Sequence, residues 1–312
     1  MEAPSAKARY AAFCAAHPQV PVFCQPWYLD AVAEHGHWDV ALLTAGEHTL
    51  AALPYFHKRR LGLHYATMPL FTKHLGIIPA PDLPGGWTAA RVHQLLANLP
   101  PLAGFDQQFS PLANDLIPHL PTAYTATPYL TYRIDLATFP NWQARINRNM
   151  RRNIKKAAAQ LQLRTDLDLA TFYRVNALSF TRQGLPVPYT FDQLQRHDAA
   201  LARHQARQIF AAVSADGQIH SVAYLIWDRH AAYYHLSGDD PALRHSGSGI
   251  WLIAQAITFT QQQLQLPIFD FEGSMIPAVA AIRQQFGAQP TTYYRVQAMP
   301  SWRYRLLKKW RT

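Results

Sequence analysis

Residues 207–273 read RQIFAAVSADGQIHSVAYLIWDRHAAYYHLSGDDPALRHSGSGIWLIAQAITFTQQQLQLPIFDFEG. Three runs rich in aromatic and β-branched residues come first: Ile209–Val213, Ser221–Trp227 and Ala231–Leu236. Each has strand composition. Asp216-Gly217, between the first two, is a hairpin signal. Ser237 to Pro241 is a cluster of turn formers that ends the third run. Arg244-His245-Ser246-Gly247-Ser248-Gly249 then leads straight into the apolar run Ile250–Phe259, long enough for a buried helix. Pro267 closes that run, and Ile268–Phe271 reads as a further strand. The order is meander, glycine-rich loop, helix, strand.

Glycines ahead of a helix let the backbone approach a ligand without a Cβ in the way. The first helical turn adds unpaired N–H groups and the positive end of the dipole, which suit a phosphate. Arg244 adds a charge-assisted contact. The loop therefore has the chemistry to hold a pyrophosphate. An ordinary tight strand-to-helix turn is the alternative.

Outward from this stretch, the chain of 312 residues is 49% hydrophobic, enough for a substantial core and about two domains. The charge changes character near Thr138-Phe139-Pro140. Residues 141–161, NWQARINRNMRRNIKKAAAQL, carry Ile146, Met150, Ile154, Ala157 and Leu161 at helical spacing. Arg145, Arg148, Arg151, Arg152, Lys155 and Lys156 decorate the rest of that predicted single helix. This is either a solvated face or a patch for an acidic substrate, a lipid headgroup or RNA. The formal net charge of +10 favours polyanionic partners without choosing among them.

Before residue 138 the pattern mixes helices (6–17, 23–35 with Pro26 in the first turn, 87–97) with strands (38–43, 49–56, 63–68, 75–78, 104–109, 129–134). It contains no convincing phosphate loop. After the basic helix come a strand at 163–167 and helices at 169–181 and 191–207. Beyond Gly273 a helix is expected at 278–286 with Gly287 as its C-cap, then a strand at 291–296. The tail SWRYRLLKKWRT puts Trp302, Leu306 and Trp310 on one face of a basic helix. That face suits a membrane surface or docking onto its own domain.

The 15 histidines and two cysteines, Cys14 and Cys24, show no metal-binding spacing, and no metal is expected. No run approaches the ~20 apolar residues of a membrane span, and the N-terminus lacks a signal-peptide pattern. The expectation is a cytoplasmic protein, peripheral at the inner membrane face if the tail makes contact.

The Arg-x-x-Gly-x-Gly loop in this element order resembles the acyl-CoA loop of the GNAT N-acyltransferases. PWYLDAV near the start, NMRRNIKKA, FDFEGSM and IRQQFGAQPTTYYRV together resemble the FemAB-like and BioF2-like branch over residues 22–296. The resemblance implies a bacterial α/β protein with mixed sheets in two tandem GNAT-like domains. We place a degenerate one at 1–138 and the donor-binding one at 139–312. It implies an N-acyltransferase that takes an acyl group from acetyl-CoA or another acyl-CoA to an amine, small or lipid-linked, in envelope or polysaccharide metabolism. The alternative within the branch is FemABX-type transfer from aminoacyl-tRNA to a peptidoglycan precursor. A non-catalytic basic module for RNA or membrane is the alternative of another class.

On this resemblance Leu236, Ser237, Arg244, His245, Ser246, Gly247, Ser248 and Gly249 hold the donor, and residues 234–237 supply the strand edge beside the thioester. Period-two geometry puts Asp270 and Glu272 on one strand face. Glu272 is the candidate base or amine anchor; a carboxylate capping the Ser274 turn is the alternative. His235 is a second candidate base, and Tyr293 or Tyr294 the acid. Arg148, Arg151, Arg152 and Lys155 are candidates for a polyanion.

Overall fold

The computed structural model describes residues 4–273 and 276–309. The chain forms two compact units, residues 1–129 with 292–312, and residues 130–291. Sequence analysis instead sets one boundary at 138/139. The difference comes from long-range strand pairing, described below.

Unit 1 opens with α1 (Ala6–Ala16) and α2 (Pro26–Val32), the latter started by Pro26 at its first turn. There follow β1 (His37–Ala45), β2 (His48–Arg60), β3 (Leu63–Thr67), the two-residue β4 (Ile78–Pro79), α3 (Ala89–Ala97) and β5 (Gly104–Phe109). Next, β6 (Thr125–Asp135) carries the chain into unit 2. In unit 2 come α4 (Arg148–Ala158), β7 (Leu161–Arg164), α5 (Leu169–Thr181), α6 (Phe191–Arg203), β8 (Arg207–Ser214), β9 (Ile219–Trp227) and β10 (Ala231–Asp239). Then follow α7 (Ser248–Gln262), β11 (Ile268–Asp270) and α8 (Pro277–Gln285). Finally β12 (Gln289–Ala298) and α9 (Trp302–Lys309) return the chain to unit 1.

Both units use one plan. In unit 1, β1, β2 and β3 form an antiparallel meander, β5 lies parallel to β3, and β12 borders β5 antiparallel. In unit 2, β8, β9 and β10 form the meander, β11 lies parallel to β10, and β6 borders β11 antiparallel. A helix lies between the parallel strands in each case: α3 in unit 1, α7 in unit 2. Each unit is thus a mixed α/β sheet with helices. Unit 1 recruits β12 because its Tyr294–Ala298 pair with Phe109–Phe105, and Arg295 holds the buried Asp106 through two 2.7 Å bonds. No local pattern announces a pairing across that much chain.

The expected helix over 141–161 is broken. A 3₁₀ turn spans Trp142–Arg145, and Asn147 caps α4 by accepting from the Met150 N–H at 2.8 Å. The apolar stripe is real: Ile146, Met150, Ala157 and Leu161 are buried in the core between the unit 2 sheet and α7. The opposite sheet face packs on α5 and α6 through Phe172, Leu194 and Leu201. Two other expected spans shorten. Helix 191–207 stops at Arg203, and strand 75–78 reduces to β4. Among the described residues no helix is long and apolar enough to cross a membrane.

Candidate active site

The site of unit 2 forms where β10 parts from β11. The two strands pair from Ala231/Ile268 to Tyr233/Asp270 and no further, although β10 continues to Asp239 alongside β9. Just past the parting point the β9–β10 register slips between Tyr234 and Leu236, leaving His235 in a bulge. A bulge bends the strand and re-aims a side chain. Here it turns His235 to the face opposite the Phe269–Phe271 core. His235 Nδ1 lies 2.7 Å from Glu272 Oε1. The two side chains are 3% and 12% exposed, so the pair is nearly enclosed and Glu272 is its more accessible member.

Glu272 has a left-handed backbone, φ 57°, followed by Gly273 at φ 81°. That conformation is costly for a residue with a Cβ and needs its surroundings to hold it. Asp270 does so. It is fully buried, accepts the Glu272 N–H at 2.8 Å and the Arg133 Nε–H at 2.6 Å, and also takes the Thr131 hydroxyl. Its oxygens are engaged by these three donors, one of them the Glu272 backbone. Burial pulls Arg133 down, but Asp270 outweighs it and keeps the guanidinium charged. Beneath His235 the ring of His197 lies 5.2 Å away, fully buried. Burial and then His235 push His197 well below the ordinary histidine range, so it is neutral. Arg283 adds a cation that the sequence reading missed. Its Nη1 is buried without a hydrogen-bond partner among the described residues. Burial lowers its pKa, with Glu272 and Asp270 pulling the other way.

The edge of β10 beyond His235 is not bare. Asn176 of α5 donates to the Ser237 carbonyl at 2.7 Å, and Asp239 N–H donates to Ser179 Oγ at 3.0 Å. Gly238 allows this approach, because a Cβ there would sit 2.4 Å from the Asn176 Cα. Ser237-Gly238-Asp239, expected as a turn, is therefore strand.

After β10, a 3₁₀ turn spans Pro241–Ser246, and Gly247, at φ 73°, caps α7 in the left-handed region glycine favours. Gly247 lies beside α4, near Asn153 and Ala157. Ser246 and Ser248 turn inward. Ser246 Oγ donates to the Leu243 carbonyl, and Ser248 Oγ pairs with Ser221 Oγ. His245 is exposed and Leu236 half-buried. Arg244 Nε stands 3.6 Å from Asp239 Oδ2, both side chains part-exposed. Asp239 Oδ1 also lies where a Gly249 Cβ would be only 2.9 Å away. The first turn of α7 thus has a cation, Arg244, and a carboxylate, Asp239, as neighbours. Arg148, Arg151, Arg152 and Lys155 are all exposed on α4.

Tyr293 belongs to unit 1. Its buried ring packs on His74 at 4.9 Å and Tyr129 at 5.8 Å, with Lys73 over its face. Unit 2 therefore joins His235, Glu272 and Asp270 by hydrogen bonds and also holds the Arg244–Gly249 loop, and Tyr293 sits in a packed aromatic group of unit 1. Among the described residues no group of three or more His, Cys, Asp or Glu side chains is placed to hold a metal.

Known proteins share features of this sequence and this fold. Residues 144–275 match the family model described as "Acetyltransferase (GNAT) domain". The chain thus carries this acetyltransferase-domain match over 132 of its 312 residues, all within unit 2. Its fold is similar to the crystal structure of FemX, with a TM-score of 0.69 at 10% identity, over 94% of this chain and 97% of that one. L-PGS from Bacillus licheniformis is similar at TM-score 0.56 and 11% identity, over 95% and 92%. The C-terminal domain of a putative lysylphosphatidylglycerol synthetase from Agrobacterium fabrum is similar at 0.53 and 12%, over 88% of each chain. Curated protein sequences give no match to this chain.

Proposed function

We propose that this protein is an N-acyltransferase that moves an acyl group from an acyl-CoA, acetyl-CoA first among them, to an amine acceptor. The acceptor is small or lipid-linked, in envelope or polysaccharide metabolism. The observation that carries the reading is the His235–Glu272 pair, held 2.7 Å apart where β10 parts from β11, in the same unit as the glycine-capped start of α7. The first-turn N–H groups of α7 and Arg244 hold the donor's pyrophosphate.

Glu272, braced by His235 and by Asp270, takes one proton from the neutral amine as it attacks. The amine nitrogen bonds to the thioester carbonyl carbon to give a tetrahedral oxyanion, and its collapse re-forms the carbonyl and breaks the C–S bond. A backbone N–H at the β10 bulge steadies the oxyanion. The CoA thiolate leaves and takes a proton from water. General-base catalysis of this kind contributes about 10²–10⁴-fold.

The test is release of CoA thiol from acetyl-CoA across a panel of amines, including polyamines, amino sugars and aminoacylated lipids. Wild type is expected to turn over with at least one amine. Glu272→Gln is expected to lose about 10²-fold or more in kcat with donor affinity unchanged. Full activity in Glu272→Gln overturns the assignment.

A second reading has its own observation. Asp239 stands beside the α7 N-terminus, where it disfavours a free pyrophosphate, and the exposed basic face of α4 offers another polyanion surface. These features, with the fold likeness to FemX and the lysylphosphatidylglycerol synthetases, support transfer of an amino acid from aminoacyl-tRNA. Turnover with aminoacyl-tRNA and none with acyl-CoA would favour it.

A further inference from the structure

The most exposed large apolar side chain described in the protein is Leu61, 82% exposed at the tip of the β2–β3 hairpin. Its position is doubly unfavourable. Leu61 and Gly62 form the two-residue turn between the paired Arg60 and Leu63, with φ 49° and 76°. Turns of this kind favour Asn, Asp or Gly at both positions, and a leucine there pays a steric cost and buries nothing. Exposed arginines Arg59 and Arg60 precede it. Residues 57–65, HKRRLGLHY, contain no acid.

A second element of the same unit has the same chemistry. Helix α9 docks through Tyr304 and Lys308, one turn apart. The Tyr304 ring fills the space over Gly104, and Lys308 pairs with Asp106. Trp302 and Leu306 are offset from those two by two residues, about 200° around the helix. They therefore face away from the docked side and are 60% and 49% exposed. Arg303 and Arg305 beside them are exposed as well. The expected apolar face is thus real but not the docked one; Trp310 lies outside the described residues. The two elements meet where Tyr65 of β3 contacts the Tyr304 ring at 5.1 Å.

From these placements we propose that the β2–β3 tip and α9 together form a docking surface for an anionic lipid bilayer. Leu61, Trp302 and Leu306 enter the acyl boundary while Arg59, Arg60, Arg303 and Arg305 meet the headgroups. Charge selects this occupant. Two copies of a surface whose segments 57–65 and 302–309 hold no acid repel each other, and a nucleic acid offers no apolar phase for an exposed leucine at a hairpin tip. The surface stands independently of which acyl donor the unit 2 site uses.

The test is flotation of the full chain with phosphatidylcholine vesicles, with and without phosphatidylglycerol, at low and high salt. Wild type is expected to float with the anionic vesicles and to be released by salt. Leu61→Asp and the Trp302→Glu, Leu306→Glu double variant are each expected to bind about tenfold or more weakly, since each removes an inserted apolar group. Arg59→Ala and Arg303→Ala remove exposed cations, Arg303 one that also lies over the Trp302 ring, and are each expected to weaken binding about fivefold. Equal thermal melting of the variants separates lost docking from lost folding. Several results overturn the proposal: no flotation of wild type, equal flotation on neutral vesicles, or unchanged flotation of the variants. A dimer in light scattering that these variants dissociate, without vesicle binding, also overturns it.

Discussion

Gly238→Ala is the sharpest perturbation of the strand edge that borders the site. The Gly238 backbone suits alanine, so its cost is purely steric. The added Cβ would lie 2.4 Å from Asn176 Cα, 2.7 Å from the Val175 carbonyl oxygen and 2.8 Å from Asn176 N. All three are backbone atoms of α5, and none can rotate aside. Ordinary contact begins near 3.4 Å, so α5 must retreat by about 1 Å. That retreat stretches the Asn176–Ser237 and Ser179–Asp239 hydrogen bonds. Each is worth about 1 kcal/mol net. Overpacking adds about 1–3 kcal/mol. The expected loss is about 3–5 kcal/mol, which for a unit of this size lowers Tm by roughly 10 °C. Thermal unfolding followed by circular dichroism, with amide exchange at Ser237 and Asp239, reads both effects. A Tm shift under about 2 °C with unchanged exchange would refute the claim that α5 closes this edge.

Asp239→Asn should tighten acetyl-CoA binding about fivefold at low salt, because Arg244 is freed and a carboxylate leaves the α7 N-terminus. The pair is part-exposed, which holds the gain near 1 kcal/mol; calorimetric titration checks it. His197 is neutral in the fold because its pKa is depressed, so the unfolded chain binds the extra proton below pH 6.5. Its contribution is complete above that value and is lost as pH falls toward the folded pKa, by up to about 1.4 kcal/mol per pH unit. His197→Phe should flatten that part of a urea-midpoint profile. Gly104→Ala places a Cβ 2.0 Å from the Tyr304 ring and should release α9, making residues near Lys309 more open to trypsin without lowering acetyl-CoA affinity.

Much of unit 2 was legible because its signals are local. The meander, the Asp216-Gly217 turn, the run into α7 and helix α5 at 169–181 all follow from composition and spacing. The pairing of His235 with Glu272 was not legible. It depends on a bulge and a left-handed glutamate, and neither has a sequence signature. Ser237-Gly238-Asp239 misled because small and acidic residues in a row read as a turn; the glycine is there for the approach of α5. His197 could have been suspected from its place on the apolar face of α6, between Leu194 and Leu201. The family resemblance offers Tyr293 as the acid, but β12 returns to β5 in unit 1. Only the fold makes that pairing visible. The turn at Ser274 lies outside the described residues.

The central claim is that the loop from Arg244 to Gly249 holds an acyl-CoA. The direct measurement is calorimetric titration of acetyl-CoA and free CoA into wild type and an Arg244→Ala, Gly247→Trp double variant. Gly247 is left-handed and Arg244 is the loop's cation, so the variant removes both the turn and the charge. The account predicts binding by wild type with a Kd between about 1 µM and 1 mM, the usual span of substrate affinities, and loss of binding in the variant. No binding by wild type, or equal binding by both proteins, would contradict it.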